Sequence, residues 1–270
     1  MNNQIKPTLK EVPETMLWTL HNRAVEAMRS DAIIKDKRCI EIYKSIDYDY
    51  KKSFGKAEPS HAVRSILFDN AIKEFLKDNP DGTIINLGEG LETQVFRIKE
   101  DKALWISVDL PDAIEIREQF IKPDKRHIHC PLSVLDRKWF DLVPKDKPVF
   151  ISAQGLFMFL PEKEVQSIIK DMLETFSSGI LMFDTIPKWI SNKTMSEKGW
   201  RKTKYYTTPK MPWGINRNDI KKIKNWSPKI KDIKEVLYVF PRGLQKWFFK
   251  LYLSIPYLKN LAPSGVRTEF

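Results

Sequence analysis

The run Thr83-Ile-Ile-Asn-Leu-Gly-Glu-Gly-Leu-Glu-Thr-Gln94, followed by Ala103-Leu-Trp-Ile-Ser-Val-Asp-Leu-Pro-Asp112, decides the fold. It reads as an apolar strand breaking into Gly88-x-Gly90, a helix, and a second apolar strand that ends in an acid, Asp109. Two glycines let backbone pass close to a ligand where a Cβ would clash. A carboxylate at the tip of the next strand can accept both hydroxyls of a ribose. The step from Gly88 to Asp109 is 21 residues, near the roughly 20 expected of a nucleoside-binding βαβ unit. No third glycine follows, because Thr93 stands in its place. The pattern therefore points away from a dinucleotide pyrophosphate and toward a nucleoside lacking one, with S-adenosylmethionine the first candidate.

Working outward, apolar runs predict strands at 83–87, 104–108, 126–130, 148–152 and 179–184. Helical patterns lie between them, near 92–98, 111–121 and 161–176, the last opened by Pro161-Glu162. Such alternation predicts an α/β fold whose parallel sheet binds its ligand at the strands' carboxyl ends. Residues 14–46 read as helical with a break near Ser30-Asp31, and a polar, aromatic loop follows. Ser60 is the expected cap of a third helix, and Asn79-Pro80-Asp81-Gly82 is a strong turn. After the core comes a Lys-, Pro- and Trp-rich stretch without clear period, then a helix near 217–226, a strand near 232–239, a helix near 242–253 and a last strand at 265–270. The expected organisation is a helical cap (1–78), a Rossmann-like cofactor core (79–186), a lid insertion (187–216) and a C-terminal part of the sheet (217–270).

The length suits one domain of moderate size with an elaborate cap. No apolar run approaches the ~18 residues needed to span a bilayer, and Met1–Pro7 has no segment of signal-peptide type. Two cysteines, Cys39 and Cys130, make neither a disulfide framework nor a metal site, so a reduced, cytoplasmic protein is expected. The net charge of +11 is uneven: residues 187–270 hold 19 basic and 5 acidic residues, the first 186 hold 27 and 30. The basic residues are scattered rather than blocked, so an anionic small molecule is expected ahead of nucleic acid. Trp247-Phe-Phe-Lys-Leu-Tyr-Leu suggests either a buried helix or peripheral membrane contact, and the expectation is burial.

Further candidates lie at strand ends. Leu132-Ser-Val-Leu-Asp136 follows the third strand and offers Asp136 to an exocyclic amine such as adenine's, with Leu135 on the ring; the competing role of Asp136 is to cap the helix at Arg137–Phe140. Gln154 and Gly155 close the fourth strand and face the same cleft, and Phe157, Met158 and Phe159 read as core. Arg64 suits a free amino acid's carboxylate, although spacing alone favours a surface salt bridge with Asp69 or Glu58. His127 and His129 share a strand face without a third metal ligand. His61 is a weak general-base candidate, and Trp200, Tyr205, Tyr206 and Trp213 are candidate pocket residues of the lid.

Together these motifs resemble the leucine carboxyl methyltransferase superfamily, in particular its branch of bacterial polyketide O-methyltransferases. Leu87-Gly-Glu-Gly-Leu-Glu-Thr-Gln94 with Arg97 resembles the family's Leu-Gly-x-Gly-Leu-Asp-Thr-Arg. Val108-Asp-Leu-Pro111 resembles its Val-Asp-Leu-Pro, and Gln154-Gly-Leu-Phe-Met-Phe-Leu160 its Glu-Gly-x-x-Met-Tyr-Leu. Phe183-Asp-Thr185 and Trp213-Gly214 also fit. The resemblance implies a class I S-adenosylmethionine-dependent methyltransferase fold with N-terminal helices and a lid. It assigns Arg64 to the methionine carboxylate, Gly88 and Gly90 to the cofactor's amino-acid end, Asp109 to the ribose and Asp136 to adenine. Glu92, Gln94 and Gln154 stand where the family has Asp, Arg and Glu.

The expected activity is O-methylation of a carboxylate or acidic hydroxyl of a small molecule, since no clear base for a neutral acceptor is apparent. Tyr205 and Tyr206 are, with His61, the weak catalytic candidates. The alternatives are methylation of a protein C-terminal carboxylate or of RNA, and a non-catalytic relative that binds a partner.

Overall fold

The computed structural model describes residues 11–240 and 242–270; the N-terminal stretch Met1–Pro7 lies outside them. The chain opens with α1 (Glu11–Ala27), α2 (Lys37–Ser45), α3 (Tyr50–Phe54) and α4 (Ser60–Asp78). Then β1 (Thr83–Leu87), α5 (Gln94–Ile98), β2 (Leu104–Asp109), α6 (Pro111–Glu118), β3 (His127–Pro131) and β4 (Val149–Ala153) build the first half of a sheet. The second half comprises α7 (Glu162–Thr175), β5 (Gly179–Thr185), α8 (Lys188–Met195), β6 (Asp232–Val236), α9 (Gly243–Ser254), α10 (Pro256–Asn260) and β7 (Ser264–Glu269).

The seven strands lie in the order β3-β2-β1-β4-β5-β7-β6. β1 to β5 are parallel, while β7 runs antiparallel between β5 and β6. The order reverses between β1 and β4, so a crevice opens beyond their carboxyl ends. β1 and β4 are buried along their whole length, as strands covered on both faces must be. The largest apolar cluster packs α7 and the aromatic groups Trp139, Phe140 and Phe176 against the sheet, and α4 covers the strands with Phe68, Ile72 and Phe75. A separate cluster of α1, α2 and α3 residues, with Tyr206, forms the cap.

Three local readings change. Ser60 is the first residue of α4, not its cap; Pro59 precedes the helix without a side-chain cap bond. The stretch 217–226 winds as a 3₁₀ helix. The stretch 187–216 contains α8, whose buried residues are Ile190 and the polar Ser191 and Thr194, too few apolar groups to leave a period; Ser191 Oγ donates to the Met211 carbonyl at 2.7 Å.

Cap and sheet are joined through buried charge. Arg97 on α5 binds Asp69 of α4 with two parallel bonds of 2.7 and 2.9 Å, and donates to Asp36 at 2.6 Å and Glu92 at 2.8 Å. Asp36 also caps α2 through the Cys39 amide. Arg23 of α1 donates to Glu92 at 2.6 Å and to the Leu91 carbonyl at 3.0 Å. Burial opposes ionisation of Glu92, yet Arg23 and Arg97 hold its carboxyl well below the usual range. Removing one member strands the other charges without water. Arg97→Met is therefore expected to cost about 3–5 kcal/mol in urea unfolding, whereas Arg29→Met, which breaks the exposed pair with Asp31, should leave the midpoint nearly unchanged.

Candidate active site

β1 delivers the chain into the glycine loop. Gly88 and Gly90 adopt φ of 63° and 52°, the left-handed region that side chains resist. A Cβ on Gly88 would meet Leu156 at 2.9 Å, and one on Gly90 would meet Met16 at 2.9 Å. The loop is thus pressed between the β4 end and α1.

Its residues are held from beneath. Asp109, at the tip of β2, accepts from the Gly90 amide at 2.7 Å and the Leu110 amide at 2.8 Å. Arg117 of α6, fully buried, donates to the carbonyls of Gly90 and Glu92 at 2.7 and 2.8 Å and pairs with Glu89 at 3.0 Å. Asn86 donates to Glu89 at 3.0 Å. Burial pushes the Asp109 carboxyl up to about 6, even though those two amides favour its charged form.

The β4 end supplies the opposite wall. Gly155, at φ 68°, admits Arg64: a Cβ there would lie 2.8 Å from a guanidinium nitrogen. Arg64 pairs with Asp184 of β5 at 2.9 Å, and Asp184 also accepts from the Gly155 amide. The surface pairing with Asp69 or Glu58 expected from spacing does not form; Asp69 binds Arg97, and Glu58 binds Lys202. Gln154 has only a 3.5 Å bond to Ser152, and its Oε1 is buried without a partner. Asn86 Oδ1 and Arg64 Nε are likewise unpartnered.

These loops border one cavity of about 540 Å³, within the range of small-molecule sites. Gly88, Gly90, Asp109, Gln154, Gly155, Arg64 and Asp184 line it at one side; Trp18, His61, Met158, Phe159, Trp200, Lys202 and Tyr238 add to its wall. Of the three residues expected in the core, Phe157 and Met158 are buried, and Met158 with the half-buried Phe159 also reaches the cavity wall.

Several expected residues fall elsewhere. Asp136 accepts from the Lys138 amide at 3.1 Å as the cap of a short 3₁₀ helix, and Leu135 packs against the main core. The cavity wall after β3 is made instead by Ser133 and Val134. Tyr205 is exposed and sits under the Lys52 and Lys204 ammonium groups. Tyr206 is buried in the cap cluster, and Trp213 in the main core. None of Leu135, Asp136, Tyr205, Tyr206 and Trp213 lines the cavity. His127 and His129 stack edge-to-face at the β3 edge, against Ser107 and Glu118 respectively.

His61 does reach the cavity, with its chemistry constrained. The Glu58 amide donates to Asn22 Oδ1, which turns the Asn22 amide nitrogen toward His61 Nδ1 at 2.9 Å. Nδ1 therefore accepts, which assigns the ring proton to Nε2. Burial, then Arg64, lowers its pKa well below the ordinary value, so the ring is neutral.

The sheet order and the glycine loop with an acid at the end of β2 define a class I methyltransferase fold. Solved structures agree on the fold: a plantazolicin methyltransferase, BpumL, in complex with S-adenosylhomocysteine (TM-score 0.50, 10 % identity, 95 % of this chain and 98 % of that one), and the CurJ carbon methyltransferase (TM-score 0.52, 10 %, 95 % and 67 %). A family model described as leucine carboxyl methyltransferase matches residues 18–173, and the chain belongs to that family of S-adenosylmethionine-dependent methyltransferases. It is 29 % identical over 184 residues, 67 % of this chain and 68 % of the relative, to the tetracenomycin polyketide synthesis O-methyltransferase TcmP of Streptomyces glaucescens. It is 26 % identical over 234 residues, 76 % and 78 %, to the S-adenosyl-L-methionine-dependent methyltransferase dpfgK of Gibberella zeae.

The cavity fits that cofactor. Buried acceptors without partners, Gln154 Oε1 and Asn86 Oδ1, suit an ammonium, and both left-handed glycines bring backbone to the cavity wall. Asp109 sets a pH dependence. Its pKa in the fold, about 6, lies above the unfolded 3.8. The stability of its neutral form is therefore present below the lower value and lost as pH rises through the upper one. The ribose role that the family resemblance implies for Asp109 is best served by its charged, acceptor-only form. S-adenosylhomocysteine affinity by calorimetry should accordingly rise as pH crosses 6 and level off above it, and Asp109→Asn should weaken binding and flatten the profile.

Proposed function

We propose that the protein methylates an oxygen, the carboxylate or acidic hydroxyl of a small, polyketide-like molecule, in a reduced cytoplasm. The observation that carries this reading is a cavity joining the glycine loop to an apolar and aromatic chamber whose one described histidine, His61, is neutral. The tetracenomycin relative, an O-methyltransferase of polyketide synthesis by its name, supports the acceptor class.

S-adenosylmethionine, when bound, supplies an electrophilic methyl on a sulfonium. Asp109 would accept from its ribose hydroxyls, Arg64 pair with its carboxylate, and Gln154 and Asn86 accept from its ammonium, with Ser133 and Val134 against adenine. Asp184 holds the Arg64 guanidinium in place. The segment 187–216 acts as the lid, giving Trp200 and Lys202 to the wall. What remains for the protein is to orient the acceptor oxygen and exclude water, tasks that Trp18, Met158 and Phe159 suit.

His61 presents a neutral ring whose Nδ1 is occupied by Asn22, and burial keeps the Tyr238 phenol protonated. Neither takes a proton readily, so the acceptor has to arrive ionised. With a panel of aromatic acids and phenols of graded acidity, S-adenosylhomocysteine formation should rise with pH along each acceptor's own ionisation. His61→Gln should lower kcat by less than about tenfold, against the 10²–10⁴ expected for a general base. Product formed only with peptide C-terminal carboxylates, or with none of the panel, would overturn the small-molecule reading.

A further inference from the structure

The last third of the chain carries a surface that methyl transfer does not use. Between Glu235 and Glu269 the sequence has no acidic residue and five basic ones; Arg242 pairs with Glu26 and Asp31 and Arg267 with Glu269, while Lys246, Lys250 and Lys259 are exposed. In this stretch α9 bears Trp247 and Leu251 one turn apart, with Ile255 at the same spacing just past its end. Trp247 is 69 % exposed and Leu251 61 %; Ile255 is exposed too, and Tyr257 follows at 73 %. Sequence expectation had this helix buried. Instead its outward face is a stripe of large apolar groups about 12 Å long, with the exposed Lys246 and Lys250 along one flank. The other side faces inward: Phe249 packs edge-to-face with Phe240 at 4.9 Å, and both line the cavity.

We propose that this face of α9 docks on an anionic membrane surface. The stripe supplies apolar area for the acyl boundary, Trp247 and Tyr257 suit the headgroup level, and the lysines reach anionic headgroups while their stems stay along the apolar face. No helix among the described residues is long and apolar enough to cross a membrane, so the contact is with the surface. A second copy fits poorly, because a two-fold contact through α9 would set Lys246 and Lys250 of one copy against the same lysines of the other. Nucleic acid fits less well, since Leu251 and Ile255 separate Trp247 from Tyr257 and offer successive bases no ring between them. Docking would bring the cavity within about one helix diameter, ~10 Å, of the lipid.

The test is flotation of the full chain with vesicles of phosphatidylglycerol and phosphatidylcholine, or of phosphatidylcholine alone. The expected result is binding to the anionic vesicles only. Trp247→Ser with Leu251→Ser should weaken it about tenfold or more, and Lys246→Gln with Lys250→Gln about thirtyfold. Neither pair lines the cavity, so calorimetric binding of S-adenosylhomocysteine should be unchanged and reports that the variants fold. Absence of flotation by the wild type overturns the proposal, as does flotation unaffected by both pairs. A concentration-dependent dimer that does not float and is lost in Trp247→Ser with Leu251→Ser would assign the face to a second copy instead.

Discussion

Three buried arginines fix the segment on which this protein depends. The loop from Gly88 to Thr93 has little regular structure, and its two glycines make it locally permissive. Arg117 holds two of its carbonyls and Glu89 from the α6 side, Arg23 reaches it from α1, and Arg97 ties Glu92 to Asp36 and Asp69. Each guanidinium offers donors in a rigid planar fork, so a few side chains define the position of many loop atoms. The cost of burying these charges is offset only because nearly every partner is in place. The same bonds join the cap helices to the sheet, and the cavity lies where cap and sheet meet.

That arrangement gives Glu92 and Gln94 a structural meaning. Glu92 receives bonds from Arg23, Arg97, Ser65 and the Thr93 amide, and Gln94 donates to Asp69 at 2.8 Å. Both departures from the family motif are absorbed by the clamp. The amide oxygens of both Gln94 and Gln154 are buried without a partner, but only Gln154 borders the cavity. A neutral amide there can still accept from an ammonium, while contributing less to a positive charge than a carboxylate would.

The sheet was legible because its strands are apolar runs cut by turn residues, and an acid-tipped second strand at the right offset marked the ligand end. Asp109, the glycines and Gly155 all came from that local grammar. Asp136 shows where it stops: an acid after a strand serves an amine or a helix start equally well, and only the positions of the Lys138 amide and of the cavity decide. Tyr205 and Tyr206 are adjacent in sequence yet one is exposed and the other in the cap, since an irregular segment has no period to read. The arginine clamp was out of reach for another reason. Its partners lie up to 70 residues apart, and each looks like an ordinary surface charge on its own helix. The outward face of α9 was misread because an apolar helix implies burial until its neighbours are known.

The central claim is that the clamped glycine loop is the cofactor's seat and that the cap responds through it. Amide hydrogen exchange with and without S-adenosylhomocysteine tests this most directly. The account predicts slower exchange across 88–93 and, through Arg23 and Glu92, along the α1 turn around Leu20. Binding that leaves exchange in the glycine loop unchanged, or no binding at all, would contradict it.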